Sequence, residues 1–380
     1  MKLCVVTGEA SGDLHAADVI RELRGEVPGI DVFGVGGAHL EREGVRIVQG
    51  IDEMAVVGLF NVIRQIPMFR RIFKRLIATI AQERPDAVLL VDFPDFNLRI
   101  ARECRKLGIP VIYFISPQLW AWRRRRIHEI RKNVDLMLVI FPFEERFYRE
   151  RGVEAFYVGH PLVDQLHGIR RAPSTLDRSS PLKIALLPGS RRTEVAALLT
   201  PMLDAITILR LRRPVEATIL LAPTIDEAQL RGLFGVERAG VNISKDTKGQ
   251  LAESDLAIAS SGTATLECAI IGVPVVVLYR LGRLTYEIGI RLVKIPHFSL
   301  VNIVAAKRLV PELLQDAVTA ANIANEIELL SDRKSYEEVT AGLERVRTEL
   351  GEPGAARRAA GKIATLLRQG PPAFSAGAAN

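Results

Sequence analysis

The chain has 380 residues, 48% of them hydrophobic and 25% charged, with 51 Lys and Arg against 44 Asp and Glu for a net charge of +7. That composition excludes a disordered chain, and the length favours two domains over a single core. It also excludes an ordinary integral membrane protein: the longest uncharged run, at 107–122, is interrupted by Pro110, Ser116, Pro117 and Gln118 and falls short of the ~18 apolar residues a span needs.

At the start, a single Lys2 precedes a strand-length apolar run that ends in glycine and acids, which is not the pattern of an export signal and predicts a cytoplasmic protein. Cys4, Cys104 and Cys268 lie far apart among apolar neighbours, so they read as reduced, buried thiols and not as a disulfide framework or zinc site. The positive charge points to an anionic partner: nucleic acid, phosphorylated metabolite or acidic lipid surface.

Short Val, Ile and Leu runs alternate with helical patterns, at 3–7, 32–35, 87–91, 111–115 and 136–140, then at 184–187, 218–221, 256–259 and 275–278. Runs apolar at consecutive positions suit strands buried on both faces of a parallel sheet. The expected fold class is α/β, with two facing doubly wound domains. The first spans 1–165, a Gly-, Pro- and Ser-rich linker 166–182, the second 183–350, and a C-terminal helix with a frayed tail 351–380. Ligands of open parallel sheets bind beyond the carboxyl ends of the strands, so the residues just after each run are the candidates.

The first run leads into Gly8, Glu9, Ser11, Gly12 and Asp13. Glycine lets the backbone approach a ligand and a helix N-terminus favours an anion, but the spacing is not that of a dinucleotide fold and disfavours a nicotinamide cofactor. Asp13 fits a helix N-cap as well as a catalytic role, whereas Glu9, ahead of the cap, fits a site role better. Gly34, Gly36 and Gly37 after the second run fit a ligand cradle or a tight turn. Residues 54–80 then hold five basic residues and no acids. Within them Phe69, Ile72, Phe73, Leu76, Ile77 and Ile80 form a helical stripe that fits core packing. Ahead of Pro67, Met54, Val57, Phe60 and Ile63 belong to a helix apolar all round, which is either buried or in contact with an acyl chain or bilayer, with Arg70 and Arg71 beside it for anionic headgroups.

The run at 87–91 ends in Asp92, with Asp95 close behind. A carboxylate at the end of a buried strand is rigidly placed and gains proton affinity on desolvation, which suits a general base for an alcohol. Asp92 is the better candidate, since Asp95 also fits a helix cap. After 111–115 come Ser116, Trp120, Trp122 and four arginines, Arg123 through Arg126; they fit base stacking with phosphate neutralisation, a helix start with packed tryptophans, or a site for one phosphate.

In the second half, Gly189, Ser190 and Arg191 follow the run at 184–187, and Ser261, Gly262, Thr263, Ala264 and Glu267 follow that at 256–259. Cationic, amide-rich ends of this kind hold a diphosphate, and Glu267 is placed for ribose hydroxyls. No D-x-D triad, Walker loop or H-E-x-x-H occurs. Chemistry with no metal and no cofactor is expected, the leaving group being stabilised by arginine and helix dipole.

Gly8 to Asp13, Asp92-Phe93-Pro94-Asp95-Phe96-Asn97, Ser116-Pro117 with Trp120-Ala121-Trp122-Arg123, Phe141-Pro142-Phe143-Glu144, Leu187-Pro188-Gly189-Ser190-Arg191, Ser261 to Glu267 and Ser299-Leu300-Val301-Asn302 together resemble the lipid-A-disaccharide synthases, from about residue 3 to beyond 314. The resemblance implies an inverting B-type glycosyltransferase of two Rossmann-like domains. Such an enzyme transfers 2,3-diacylglucosamine from its UDP derivative to the 6-hydroxyl of 2,3-diacylglucosamine 1-phosphate, giving UDP and a β-1,6-linked lipid A disaccharide. It implies Asp92 as general base, with Glu9 and Asp95 as supporting or rival carboxylates and Ser11, Gly12 and Asp13 at the substrate. Arg191, with Gly189 and Ser190, and the turn of Ser261, Gly262, Thr263 and Ala264 would hold the diphosphate, Glu267 the ribose and Asn302 part of the donor. The implied place is the anionic cytoplasmic face of the inner membrane, with no nucleic-acid partner; a homodimer is compatible with it. Two alternatives stay open: a UDP-sugar epimerase on the same scaffold, and a basic binder of RNA or acidic membranes.

Overall fold

The computed structural model describes residues 1–55, 62–172, 176, 180–234, 236, 240–282, 286 and 296–370. The chain divides into two compact units, the first Met1–Pro161 with the C-terminal segment from Glu352, the second Leu162–Gly351.

The first unit is built on a seven-stranded parallel sheet of β1 (Lys2–Val6), β2 (Asp31–Gly36), β3 (Arg46–Gly50), β4 (Ala87–Val91), β5 (Val111–Phe114), β6 (Leu136–Val139) and β7 (Ala155–Tyr157), in the order β3-β2-β1-β4-β5-β6-β7. Its helices are α1 (Ala10–Glu26), α2 (Ala38–Arg42), α3 (Asp52–Ala55), α4 (Val62–Glu83), α5 (Pro94–Lys106), α6 (Ile127–Asn133) and α7 (Pro142–Arg149). Leu3 to Val6 of β1 and all of β4 are completely buried, because helices cover both faces and both faces must therefore be apolar. The strand order reverses between β1 and β4, and the carboxyl ends of those two strands frame the crevice where a doubly wound sheet binds ligands.

Ile72, Leu76 and Ile80 of α4 are buried in the core. Phe69 and Phe73 meet Phe96 of α5 edge-on, with ring centroids 6.2 and 6.0 Å apart. The helix runs through Pro67 instead of breaking there; proline removes one amide donor near the helix start, which 22 residues of helix tolerate. Arg70 and Arg71 are exposed on α4, while Val57, Phe60 and the side chains of Met54 and Ile63 lie outside the described residues.

The second unit carries a six-stranded parallel sheet of β8 (Leu182–Leu187), β9 (Val215–Leu220), β10 (Asn242–Ser244), β11 (Leu256–Ser260), β12 (Val275–Tyr279) and β13 (Glu312–Leu314), in the order β10-β9-β8-β11-β12-β13. The helices of this stretch of chain are α8 (Pro161–Gln165), α9 (Arg192–Arg210), α10 (Glu227–Phe234), α11 (Thr247–Ala252), α12 (Thr263–Ile271), α13 (Leu300–Val304), α14 (Ala320–Leu330) and α15 (Arg333–Glu349). Here the order reverses between β8 and β11. Part of the Gly- and Pro-rich stretch is fastened to this unit: Arg171 N donates to Ile271 O at 2.9 Å and Ala172 N to Ala252 O at 2.8 Å.

The last helix, α16 (Ala355–Gln369), belongs to the first unit and packs on α1. Arg358 anchors it, donating from Nε to Val158 O at 2.7 Å and from Nη1 and Nη2 to Pro353 O and Glu352 O at 3.0 and 2.7 Å. The four edge strands β3, β7, β10 and β13 carry no apolar run and are those the sequence pattern does not reveal. Among the described residues no helix is long and apolar enough to cross a membrane.

Candidate active site

Asp92 sits one residue beyond β4 in an unusual backbone: both it and Phe93 have φ of +48°, in the left-handed region. Two consecutive non-glycine residues there cost roughly 1–3 kcal/mol each and persist only where the surroundings impose them. The imposing groups are buried. Asp92 N donates to Phe114 O at 3.0 Å. Asp92 O accepts from the Tyr113 hydroxyl at 2.6 Å and from Asn97 Nδ2 at 2.8 Å, and the same Asn97 nitrogen donates to Val91 O at 3.1 Å. The Phe93 ring lies against Gly8, where any added Cβ would come within 2.2 Å of it. Burial pushes the Asp92 carboxyl up to about 6, and the negative charge of Glu9 adds to the rise. Glu9 is itself the N-cap residue of α1 and not a residue ahead of the cap, but its side chain makes no capping bond and is exposed, so its charge acts on Asp92 from the end of the neighbouring strand β1.

Asp95 lies in the first turn of α5, not at its cap, a place taken by Phe93. Its carboxylate accepts from Arg123 Nη1 at 2.9 Å and from Arg126 Nη2. Burial acts to raise its pKa, but Arg126 and Arg123 outweigh it and hold the group below the usual carboxylate range. A carboxylate occupied in this way is a weak proton acceptor, and this separates it from Asp92.

Asp13 is 1% exposed, and its cap serves a different helix from the expected one. Its Oδ1 accepts from Gly37 N at 2.6 Å and its Oδ2 from His39 N at 2.9 Å, which caps α2 and not α1. A Cβ at Gly37 would stand 2.9 Å from this carboxylate, so the glycine turn after β2 makes room for Asp13. Ser11 is exposed and Gly12 buried on the same first turn of α1.

Glu144, part of a motif but with no assigned role in the sequence, organises the neighbouring loops. It is 1% exposed. Oε1 accepts from the Ser116 hydroxyl at 2.8 Å and Trp120 Nε1 at 3.0 Å; Oε2 accepts from Phe141 N at 3.1 Å and Ile140 N at 3.3 Å. By accepting from Phe141 N, the cap of α7, Glu144 supplies the acid half of a capping box; with no Ser or Thr at the cap, the sequence signal is only Pro142 at the first helical position with an acid two residues later.

In the second unit, α9 and α12 begin at the carboxyl ends of the adjacent strands β8 and β11, so their free N-terminal amides point into one region. Gly189 has φ of +114°, and a Cβ there would come within 2.4 Å of Glu194 Oε2. Glu194 Oε2 accepts from Ser190 N at 3.3 Å and the Thr224 hydroxyl donates to Ser190 O at 2.6 Å, while the Arg191 side chain is 73% exposed. On the other side, Ser261 donates its hydroxyl to Phe298 O at 3.0 Å, Gly262 is the N-cap of α12, and Thr263 and Ala264 form its first turn. Glu267 is half-buried; burial raises its pKa and Lys248 opposes the rise.

Asn302 does not reach this region as a free group. It is fully buried: Nδ2 donates to Val310 O and Glu312 Oε1 at 2.9 and 2.8 Å, and Oδ1 accepts from Leu309 N and Val310 N at 2.8 and 2.9 Å. These four bonds saturate its side-chain amide and tie α13 to the segment from Leu309 to Glu312. Glu312 Oε1, which the sequence does not flag, also accepts from Ser299 N at 2.8 Å and the Ser299 hydroxyl at 2.6 Å, holding the segment whose Phe298 carbonyl receives Ser261.

A model of the lipid-A-disaccharide synthetase family matches residues 3–364. The lipid-A-disaccharide synthase of Myxococcus xanthus is 42% identical over 378 residues, covering 97% of this chain and 98% of that relative. Among solved structures, UDP-N-acetylglucosamine 2-epimerase from Neisseria meningitidis bound to UDP-GlcNAc superposes with a TM-score of 0.63 at 15% identity, over 97% of this chain and 100% of the other. Acinetobacter baumannii MurG does so with 0.57 at 16% identity, over 97% and 99%. These two likenesses concern the fold, the paired Rossmann-like domains of B-type glycosyltransferases and the epimerases related to them. The family match over nearly the whole chain carries more: the chain belongs to the lipid-A-disaccharide synthetase family and is a glycosyltransferase of lipid A biosynthesis.

Proposed function

We propose that the first unit binds a phosphorylated diacylglucosamine acceptor and supplies the base, and that the second binds UDP-linked diacylglucosamine. The supporting observation is Asp92, a carboxylate of raised proton affinity on a backbone held by Tyr113 and Asn97. With a pKa of about 6 it is ionised at neutral pH yet holds a proton more tightly than an ordinary carboxylate, the compromise a general base needs. It takes the proton of the acceptor's 6-hydroxyl as that oxygen attacks C1 of the donor sugar. The C1–oxygen bond to UDP breaks in the same displacement, inverting the anomeric centre. Charge developing on the diphosphate meets the amides that open α9 and α12 and the Arg191 guanidinium, and Glu267 accepts from the ribose hydroxyls.

The exposed Arg70 and Arg71 on α4 support seating against an anionic cytoplasmic membrane face. Asp92→Asn tests the assignment: transfer falls by roughly 10²–10⁴-fold, the usual contribution of a general base, while the dissociation constant for UDP stays the same. Near-wild-type transfer in that variant would remove Asp92 from the mechanism.

A further inference from the structure

We propose that Arg124 and Arg125 seat the phosphate of the acceptor, an inference that rests on the acceptor assigned above. The loop that carries them leaves β5, the neighbour of β4, at the same sheet end as Asp92. It is fixed at three points. Glu144 holds Ser116 and Trp120, the Tyr148 hydroxyl donates to Pro117 O at 3.1 Å, and Asp95 takes both Arg123 and Arg126. Arg123 itself has φ of +51°, so the surroundings impose this turn on an unfavourable backbone, as they do at Asp92.

Fixing the loop leaves charge unmatched. One carboxylate, Asp95, faces four consecutive arginines. Arg124 and Arg125 are exposed, and neither makes an ion pair among the described residues; Arg124 donates only to Trp120 O, at 3.2 Å. A solvated basic helix face would not need a buried glutamate and a strained turn to hold it. Two guanidiniums on a rigid turn match a phosphate monoester, whose oxygens accept several charge-assisted bonds. Trp122, 38% exposed with the Arg123 guanidinium 4.3 Å from its ring centroid, adds an apolar surface beside those cations. Cations next to an exposed aromatic suit an anion that is also an amphiphile. The loop is tied to the segment of the proposed base: Arg123 and Arg126 both bond Asp95, three residues beyond Asp92.

The test compares wild type with the Arg124→Ala/Arg125→Ala double variant in detergent, using 2,3-diacylglucosamine 1-phosphate and the same amphiphile without its phosphate. Loss of two charge-assisted contacts should raise KM for the phosphorylated acceptor on the order of 10–100-fold, with kcat little changed. The unphosphorylated acceptor and the thermal shift given by UDP should not distinguish the two proteins, and the Arg124→Lys/Arg125→Lys variant should recover part of the loss. Binding of the phosphorylated amphiphile, followed by tryptophan fluorescence, should weaken in parallel. If wild type binds it through these arginines but transfers nothing, the phosphate site stands and the proposed reaction fails. An equal change with both acceptors, or none, overturns the phosphate site. So does loss of binding to vesicles rich in phosphatidylglycerol with unchanged kinetics in detergent, which would assign the arginines to lipid headgroups.

Discussion

Asp92→Asn should make the protein more stable as it disables it. Asparagine keeps the shape of the side chain and is among the residues that best tolerate the left-handed backbone found at this position. The wild-type carboxyl is raised from 3.8 to about 6 by burial and by Glu9. At 1.36 kcal/mol per pKa unit, that rise disfavours the ionised native state by ~3 kcal/mol. Because the folded pKa lies above the unfolded one, this cost is present in full above pH 6, shrinks as pH falls towards 3.8, and is absent below. The uncharged amide removes it at pH 8. For a domain of this size ~1 kcal/mol moves Tm by about 2–4 °C, so a rise of at least ~2 °C is expected even if the amide recovers only a third of the cost. Thermal unfolding followed at pH 8, 6 and 4.5 is the assay, with the gap between variant and wild type narrowing as pH falls. A variant no more stable than wild type at pH 8, or a gap independent of pH, would refute the claim that burial raises this carboxyl.

Other outcomes follow from the same geometry. Glu9→Gln removes a negative charge that raises the Asp92 pKa, so the acidic limb of the transfer pH profile should move to lower pH; an unmoved limb contradicts the coupling. Burial holds the Glu144 carboxyl up at about 7, so its charge is itself costly; Glu144→Ala removes that charge but leaves four buried donors without an acceptor, at ~1–3 kcal/mol each, so the net cost is ~2 kcal/mol or more. Its Tm should fall by ~4–8 °C, and unchanged stability would deny Glu144 its organising role. Gly189→Ala, with its Cβ 2.4 Å from Glu194 Oε2 and an unfavourable φ, should weaken UDP binding measured by calorimetry more than it lowers Tm.

The parallel sheets were largely legible because their inner strands are buried on both faces. β1, β4 and β11 are continuous apolar runs for that reason, whereas β3, β7, β10 and β13 pair on one side only and need no such run. The placement of Asp92 could be anticipated from its position after β4. Its left-handed backbone could not, because that conformation comes from Tyr113 and Asn97, which are contributed by other parts of the first unit. Asp13 and Asn302 show the opposite case. Both stand in motifs, and both use their polar atoms to fasten backbone: Asp13 holds the turn at Gly37 and His39, more than twenty residues on, and Asn302 the loop at Leu309 and Val310 just beyond its own helix, uses that the motif spacing does not reveal. The helix α16 was readable as a helix, but not its seat: it packs on α1, where Arg368 donates to Glu26 O, while Arg358 reaches the segment after β7.

The central claim, transfer of a diacylglucosamine unit from UDP to a phosphorylated acceptor, is tested most directly by product analysis. The purified protein is incubated with UDP-2,3-diacylglucosamine alone and together with 2,3-diacylglucosamine 1-phosphate. The expected products are a β-1,6-linked disaccharide 1-phosphate and one UDP for each, formed only when both substrates are present. Conversion of the UDP-sugar by itself to an epimer, or UDP release with no disaccharide, would contradict the claim.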